Sequence, residues 1–296
     1  MALAFEGVEV WDECLDNVAQ GEYEVECPCC GVGSKRPHRG WAPVICLDPG
    51  MTDWSKLSDA FGSAEGVPAL LERFAADPRG VWPELMDRLC PQLDTAFSAS
   101  FAALPRLVGI AAGREPEDRG WVLFAAGPIV SSARRSVEGV AAREVYSSEI
   151  AELARLTGDC LRLPLGLEEY VGLLQMALAF EGVEVWDECL DNVAQGEYEV
   201  ECPYCGVNLF IVLGEEGFFS CSDDYALGEA EKTPLRATGP AELEGVAGRL
   251  HGQALADGQP VVAERLLYLF GQSSCTDCGT GFSVADRVVA NAMPTW

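Results

Sequence analysis

At 296 residues the chain can fill one large domain or two to three smaller ones, and 49% apolar residues with seven tryptophans are enough to build a core. A net charge of −27, from 20 basic and 47 acidic residues, argues against a general phosphate-backbone binder, which needs a basic footprint. The same charge suits a basic partner.

The N-terminal stretch MALAFEGVEV has neither a basic leader nor a sustained apolar core, and the longest apolar run, 121–130, is too short for a bilayer. A cytoplasmic protein without a membrane partner is therefore expected. In a reducing compartment, cysteines in CxxC pairs point to metal or redox use rather than to disulfides.

In chain order, an internal duplication comes first. Residues 1–28 recur letter for letter at 176–203, and after one change (Cys29 against Tyr204) the match runs on through Cys-Gly-Val. Solenoid repeats are degenerate, so identity this complete marks a recent partial duplication or a fused reading frame. Residues 1–50 are read as that fragment plus an irregular, disordered tail. Cys27 and Cys30 lack a downstream partner pair; His38 and Cys46 are the nearest candidates to complete a shell. Because 1–32 carry the side chains of 176–207, a domain swap through them is conceivable.

From Met51 to 195 the pattern is helical. Trp54, Leu57, Ala60 and Phe61 share one helical face; Val67, Leu70, Leu71 and Phe74 form the next, closed by Asp77-Pro78; Val81, Trp82, Leu85, Met86 and Leu89 follow. A stripe from Phe97 to Ala111 contains Pro105, a predicted kink. Further helices are expected over 119–135, 141–160, 168–180 and 183–195. Short amphipathic helices joined by short turns predict antiparallel pairs stacked as an α-solenoid, with an irregular bundle as the alternative.

Residues 196–296 read as a second, α+β domain. Tyr198 and Val200 alternate with glutamates as in a half-buried strand, 208–213 is an apolar strand, and Glu215-Glu216-Gly217 turns the chain into a return strand at 218–221. Helices follow around Leu243–Leu250 and from Pro260. Two half-sites flank them, Cys202-Pro-Tyr-Cys205-Gly and Cys275-Thr-Asp-Cys278-Gly. Adjacent thiolates in tight turns are what tetrahedral Zn²⁺ ligation needs, so Cys202, Cys205, Cys275 and Cys278 are predicted to hold one structural Zn²⁺ in a zinc ribbon with a helical insertion. Four thiolates leave no open position for catalysis. His251 is expected at the surface, Cys221 as a buried core thiol, and Cys14, Cys90, Cys160 and Cys189 on apolar helix faces.

CPYC also resembles the glutaredoxin active-site motif. A redox cysteine needs a helix N-terminus to lower its pKa, and the residues after Cys205 read as a strand. GxSxG, a strand-borne GxGxxG and a P-loop are all missing from the sequence. The basic, aromatic stripe of a nucleic-acid module is missing too, which disfavours a nucleic-acid-associated zinc ribbon.

From 82 onward, through LCPQLDTAFSASFAALPRLVGIAA, GEYEVECPYCG and CTDCGTGFSV, the chain resembles a bacterial family of HEAT-like proteins with a C-terminal zinc ribbon. It is also similar to helical immunity proteins of polymorphic toxin systems. The resemblance covers about 51–289 and implies a non-enzymatic protein binder whose partner is a protein such as a basic toxin.

Overall fold

The structure, a computed structural model, describes the backbone of 25–26 and 33–34 together with residues 52–225 and 230–292. The chain forms two compact units, residues 1–51 and residues 52–296. In the first unit, strands β1 (Val25–Glu26) and β2 (Gly33–Ser34) pair antiparallel, Val25 opposite Ser34 and Glu26 opposite Gly33. The expectations placed on the rest of that unit lie outside the described residues: the tail, Cys14, Cys27, Cys30, His38, Cys46 and the swap through 1–32.

The second unit is mainly helical, with its small sheets concentrated toward the C-terminus. It opens differently from the expected helix over 54–61. A 3₁₀ turn (Trp54–Lys56) leads into a hairpin, β3 (Ser58–Asp59) and β4 (Gly62–Ser63), and Phe61 is exposed at its tip. Two local forces override the helical spacing. Gly62 sits at φ 110, a conformation L residues rarely adopt. The buried Asp59 carboxylate accepts from the Phe61 amide and pairs with Arg88.

Thereafter helices that follow one another in the chain pack in pairs. Helix α1 (Val67–Ala76) packs on α2 (Pro78–Leu89), separated by Asp77, whose side chain caps α2 by accepting from the Gly80 amide. The Phe97–Ala111 stripe breaks at Ala103 into α3 (Ser98–Ala102) and α4 (Leu104–Ala112), so Pro105 opens a helix and does not kink one. α4 pairs with α5 (Gly120–Ser132), which a 3₁₀ turn (Ala133–Arg135) extends. The expected helix 141–160 is two, α6 (Val137–Val145) and α7 (Ser147–Leu161), divided at Tyr146. α7 pairs with α8 (Leu167–Glu181).

Successive pairs stack in two rows. The first helices touch in the order α1, α4, α7, and the second helices in the order α2, α5, α8. The second row holds the tightest seam. A Cβ on Gly127 of α5 would fall against the Met176 thioether of α8, which would have to move to admit it. The core runs along the seam through Leu85, Leu123, Ile129, Tyr170 and Leu174, all buried.

The expected helix 183–195 is interrupted. It consists of α9 (Trp186–Cys189) and α10 (Asn192–Gln195), and Val185 before it has φ 70 and ψ −57, a strained backbone for a β-branched residue. Four antiparallel strands follow in sequential order: β5 (Glu197–Glu201), β6 (Asn208–Gly214), β7 (Gly217–Cys221) and β8 (Thr233–Pro234). Glu215-Glu216 makes the two-residue turn between Gly214 and Gly217. The helical pair α11 (Gly245–Ala256) and α12 (Pro260–Leu269) is inserted before a second hairpin, β9 (Gln272–Ser274) and β10 (Gly281–Ser283). A last helix, α13 (Val284–Ala292), follows β10 directly. His251 is buried on α11, against the expectation of a surface residue: it falls on the same face as Ala247, Leu250 and Ala254. No helix among the described residues is long and apolar enough to cross a membrane.

Candidate metal centre

Two hairpins supply the site, one at each end of the inserted pair. In β5–β6 the chain leaves Glu201 and returns at Asn208, and the six residues between them close on themselves. The Cys202 amide donates to the Val207 carbonyl (2.8 Å), and the Gly206 amide donates to the Cys202 carbonyl (3.1 Å). In β9–β10 the Cys275 amide donates to the Thr280 carbonyl (2.9 Å), and the Gly279 amide donates to the Cys275 carbonyl (3.0 Å). Gly206 and Gly279 adopt φ 73 and φ 71, which is why a glycine follows each CxxC. The two turns are therefore the same local structure built twice.

Pairing within the N-terminal unit is equivalent. Val25↔Ser34 and Glu26↔Gly33 take the register of Val200↔Leu209 and Glu201↔Asn208, with only Val25 and Glu26 inside the copied stretch.

The sequence-predicted cysteines, 70 and more positions apart, meet. All four Sγ atoms lie within 4.8 Å of one another. Cys202 Sγ is 3.7 Å from Cys278 Sγ, and Cys205 Sγ is 3.7 Å from Cys275 Sγ. A metal–sulfur bond of about 2.3 Å in a regular tetrahedron puts the sulfurs about 3.8 Å apart. The donor set therefore fits one tetrahedral ion, too widely spaced for a disulfide and too close for four unrelated thiols. The first cysteine of each turn, Cys202 and Cys275, is buried; the second, Cys205 and Cys278, is exposed.

The surroundings favour thiolate at Cys202 and Cys278 and disfavour it at Cys205 and Cys275. Amides of Tyr204 and Cys205 point at Cys202 Sγ, and those of Asp277 and Cys278 at Cys275 Sγ. The Thr280 hydroxyl and amide hold the Cys278 thiol down at about 6. Burial pushes Cys275 up to about 12. A cation in the centre replaces the protons, and its affinity accordingly falls in acid.

Side chains the motif does not reveal fix the second hairpin against the first sheet. Ser220 donates to the Ser274 carbonyl (3.0 Å), Ser273 donates to Ser220 (2.9 Å), Thr276 to Ser222 (3.1 Å), and Ser222 to Asp277 (2.8 Å). Their signal in the sequence is only an alternation, Ser220 and Ser222 flanking the buried Cys221. Helix α13 then reaches back over the first turn: Arg287 donates to the Glu201 carbonyl (2.9 Å), and the Asn291 side chain accepts from the Glu201 amide (3.3 Å). The chain after Cys205 enters β6 and not a helix, so the dipole that activates a redox CxxC is not aimed at Cys202.

Cys90 and Cys160 are buried in the helical rows and Cys189 is half-buried; burial pushes Cys90 and Cys189 up to about 11 and about 12. They are inert packing thiols. Cys221 is fully buried beside Val212 and Phe219.

Compared with family models, curated proteins and solved structures, the chain matches none of them.

Proposed function

We propose that the chain is a binding protein and not an enzyme: a HEAT-like stack of helical pairs that takes up a basic protein partner, with a structural Zn²⁺ on Cys202, Cys205, Cys275 and Cys278. The observation that carries this reading is the sulfur tetrahedron. Its four positions are all thiolates, which suits a closed ion that braces a fold and leaves no site for substrate. Zn²⁺ is preferred over iron because it needs no redox protection, although tetrahedral S₄ accommodates both.

Two-row packing of α1–α2, α4–α5 and α7–α8 supports the solenoid reading, since each pair touches its neighbours along both rows. The net charge of −27 supports a basic partner drawn in by long-range attraction. Within that reading the resemblance to immunity proteins makes a basic toxin the partner, and a cytoplasmic location follows.

Metal analysis of the purified chain and of Cys275→Ser tests the clasp. One zinc per chain, lost in the variant, is expected; iron, or no metal at all, overturns the zinc assignment. Association with a basic protein whose on-rate falls steeply between low and physiological salt is expected for the partner. Salt-independent association defeats the electrostatic half of the proposal.

A further inference from the structure

The turns inside the first two stacked pairs and the start of α8 line an open cleft of about 690 Å³. Residues 76–79 come from the α1–α2 turn, 114–121 from the α4–α5 connection, and Glu168 and Glu169 from the start of α8. Its wall is aromatic. Trp121 is 39% exposed and sits edge-to-face with Phe124 (6.2 Å) and with Trp82 behind it (5.9 Å). Gly172 makes room for the Phe124 ring: a Cβ there would lie 3.1 Å from it.

Five carboxylates line the cavity; Asp77 is taken up as the cap of α2, and the other four are Glu117, Asp118, Glu168 and Glu169. None of the four takes part in an ion pair among the described residues. Arg114, also on the wall, is turned to the Ala75 carbonyl. A second, independent observation names the ligand. The chain lays its own exposed guanidinium, that of Arg79, over the Trp121 face at 5.9 Å, and Arg79 is in no ion pair among the described residues either. An aromatic face beside unpaired carboxylates is what a planar cation seeks, and a guanidinium stacks better than an ammonium.

The geometry points to a docking cavity for an arginine side chain of a basic protein partner. Trp121 is the stacking face, the four carboxylates supply counter-charge, and Arg79 is the tethered cation that the incoming guanidinium displaces. The inference rests on the binding-protein reading above and gives it a place on the fold.

The test is a titration of the ¹⁵N-labelled full chain, metal bound, with a short capped peptide containing arginine, against the same peptide with neutral citrulline. Indole resonances are read, and Trp121→Phe assigns the relevant one. Shifts at Trp121 and Trp82 with the arginine peptide and not with citrulline are expected. Arg79→Ala should tighten binding about 2- to 30-fold, the range of one cation–π contact, and the double variant Glu168→Gln, Glu169→Gln should weaken it. Equal shifts with citrulline, an unmoved Trp121, or weaker binding by Arg79→Ala overturns the inference. So does saturation of the same resonances by millimolar Ca²⁺ alone, which makes the carboxylates a cation site. If a basic protein binds with an affinity untouched by Trp121→Phe and the double variant, the binding reading stands and the cavity is removed from it.

Discussion

Tyr146 separates α6 from α7 and is buried, and burial pushes its phenol up to about 12 from the ordinary 10. In the unfolded chain it ionises near 10. Between those values the folded state holds the proton that the unfolded state has lost, so stability is complete below pH 10 and drains as pH rises through 12. The loss is about 1.4 kcal/mol per pH unit for such a group. Cys90 and Cys189 act in the same direction. Urea unfolding of Tyr146→Phe between pH 8 and 11 should give a shallower alkaline decline than the parent. Parallel declines would mean that the ring is hydrated enough to ionise in place. Nothing in the linear sequence marks Tyr146 as a break, because the helical pattern continues across it. Val185 is similar: a β-branched residue in a turn of positive φ contradicts local preference, so the expected helix 183–195 hid two short ones.

At the scale of elements, the short helix α10 depends on a residue far along the chain. Buried Arg265 of α12 donates to the Val193 and Ala194 carbonyls (2.6 and 2.9 Å), placing a cation at the helix C-terminus. Gly214 leaves the space: a Cβ there would lie 2.8 Å from the guanidinium. Arg265→Met keeps most of the volume and strips both charge-assisted bonds, a cost of about 2–3 kcal/mol. At about 2–4 °C per kcal/mol for a unit of this size, the melting point should fall by about 4–12 °C. A thermal scan within a degree of the parent would show that α10 stands without its cap. Elements whose causes are local were readable beforehand. Asp77-Pro78, Pro260, the Glu-Glu turn before Gly217 and both CxxCG turns each carry their own signal. The hairpin at Ser58–Ser63 and helix α13 were not, because a buried Asp59–Arg88 pair and contacts with Glu201 decide them, and those partners are 29 and about 90 residues away.

For the whole molecule, the four-sulfur cluster brings together segments about 70 residues apart, and an ion bound there would close everything between them, including α11 and α12, into a loop. A cross-link over a loop of that length is worth about 4–5 kcal/mol in a chain-entropy account. The helical rows from α1 to α8 contain none of the four ligands and bury their own core. Chelation should therefore lower the melting point by about 8–20 °C while most of the helical circular-dichroism signal survives at 20 °C. The residues freed first should be those of β9, β10 and α13, seen as faster amide exchange after Gln272 than in α5 or α8. Because the ligands must be deprotonated, the same change should appear without chelator on acidification, and excess Zn²⁺ should push its midpoint to lower pH. A melting curve and exchange pattern indifferent to both chelator and added Zn²⁺ would leave the four sulfurs as packing alone, and the sheet would then have to hold its two hairpins together through Ser220, Ser222, Ser273 and Thr276.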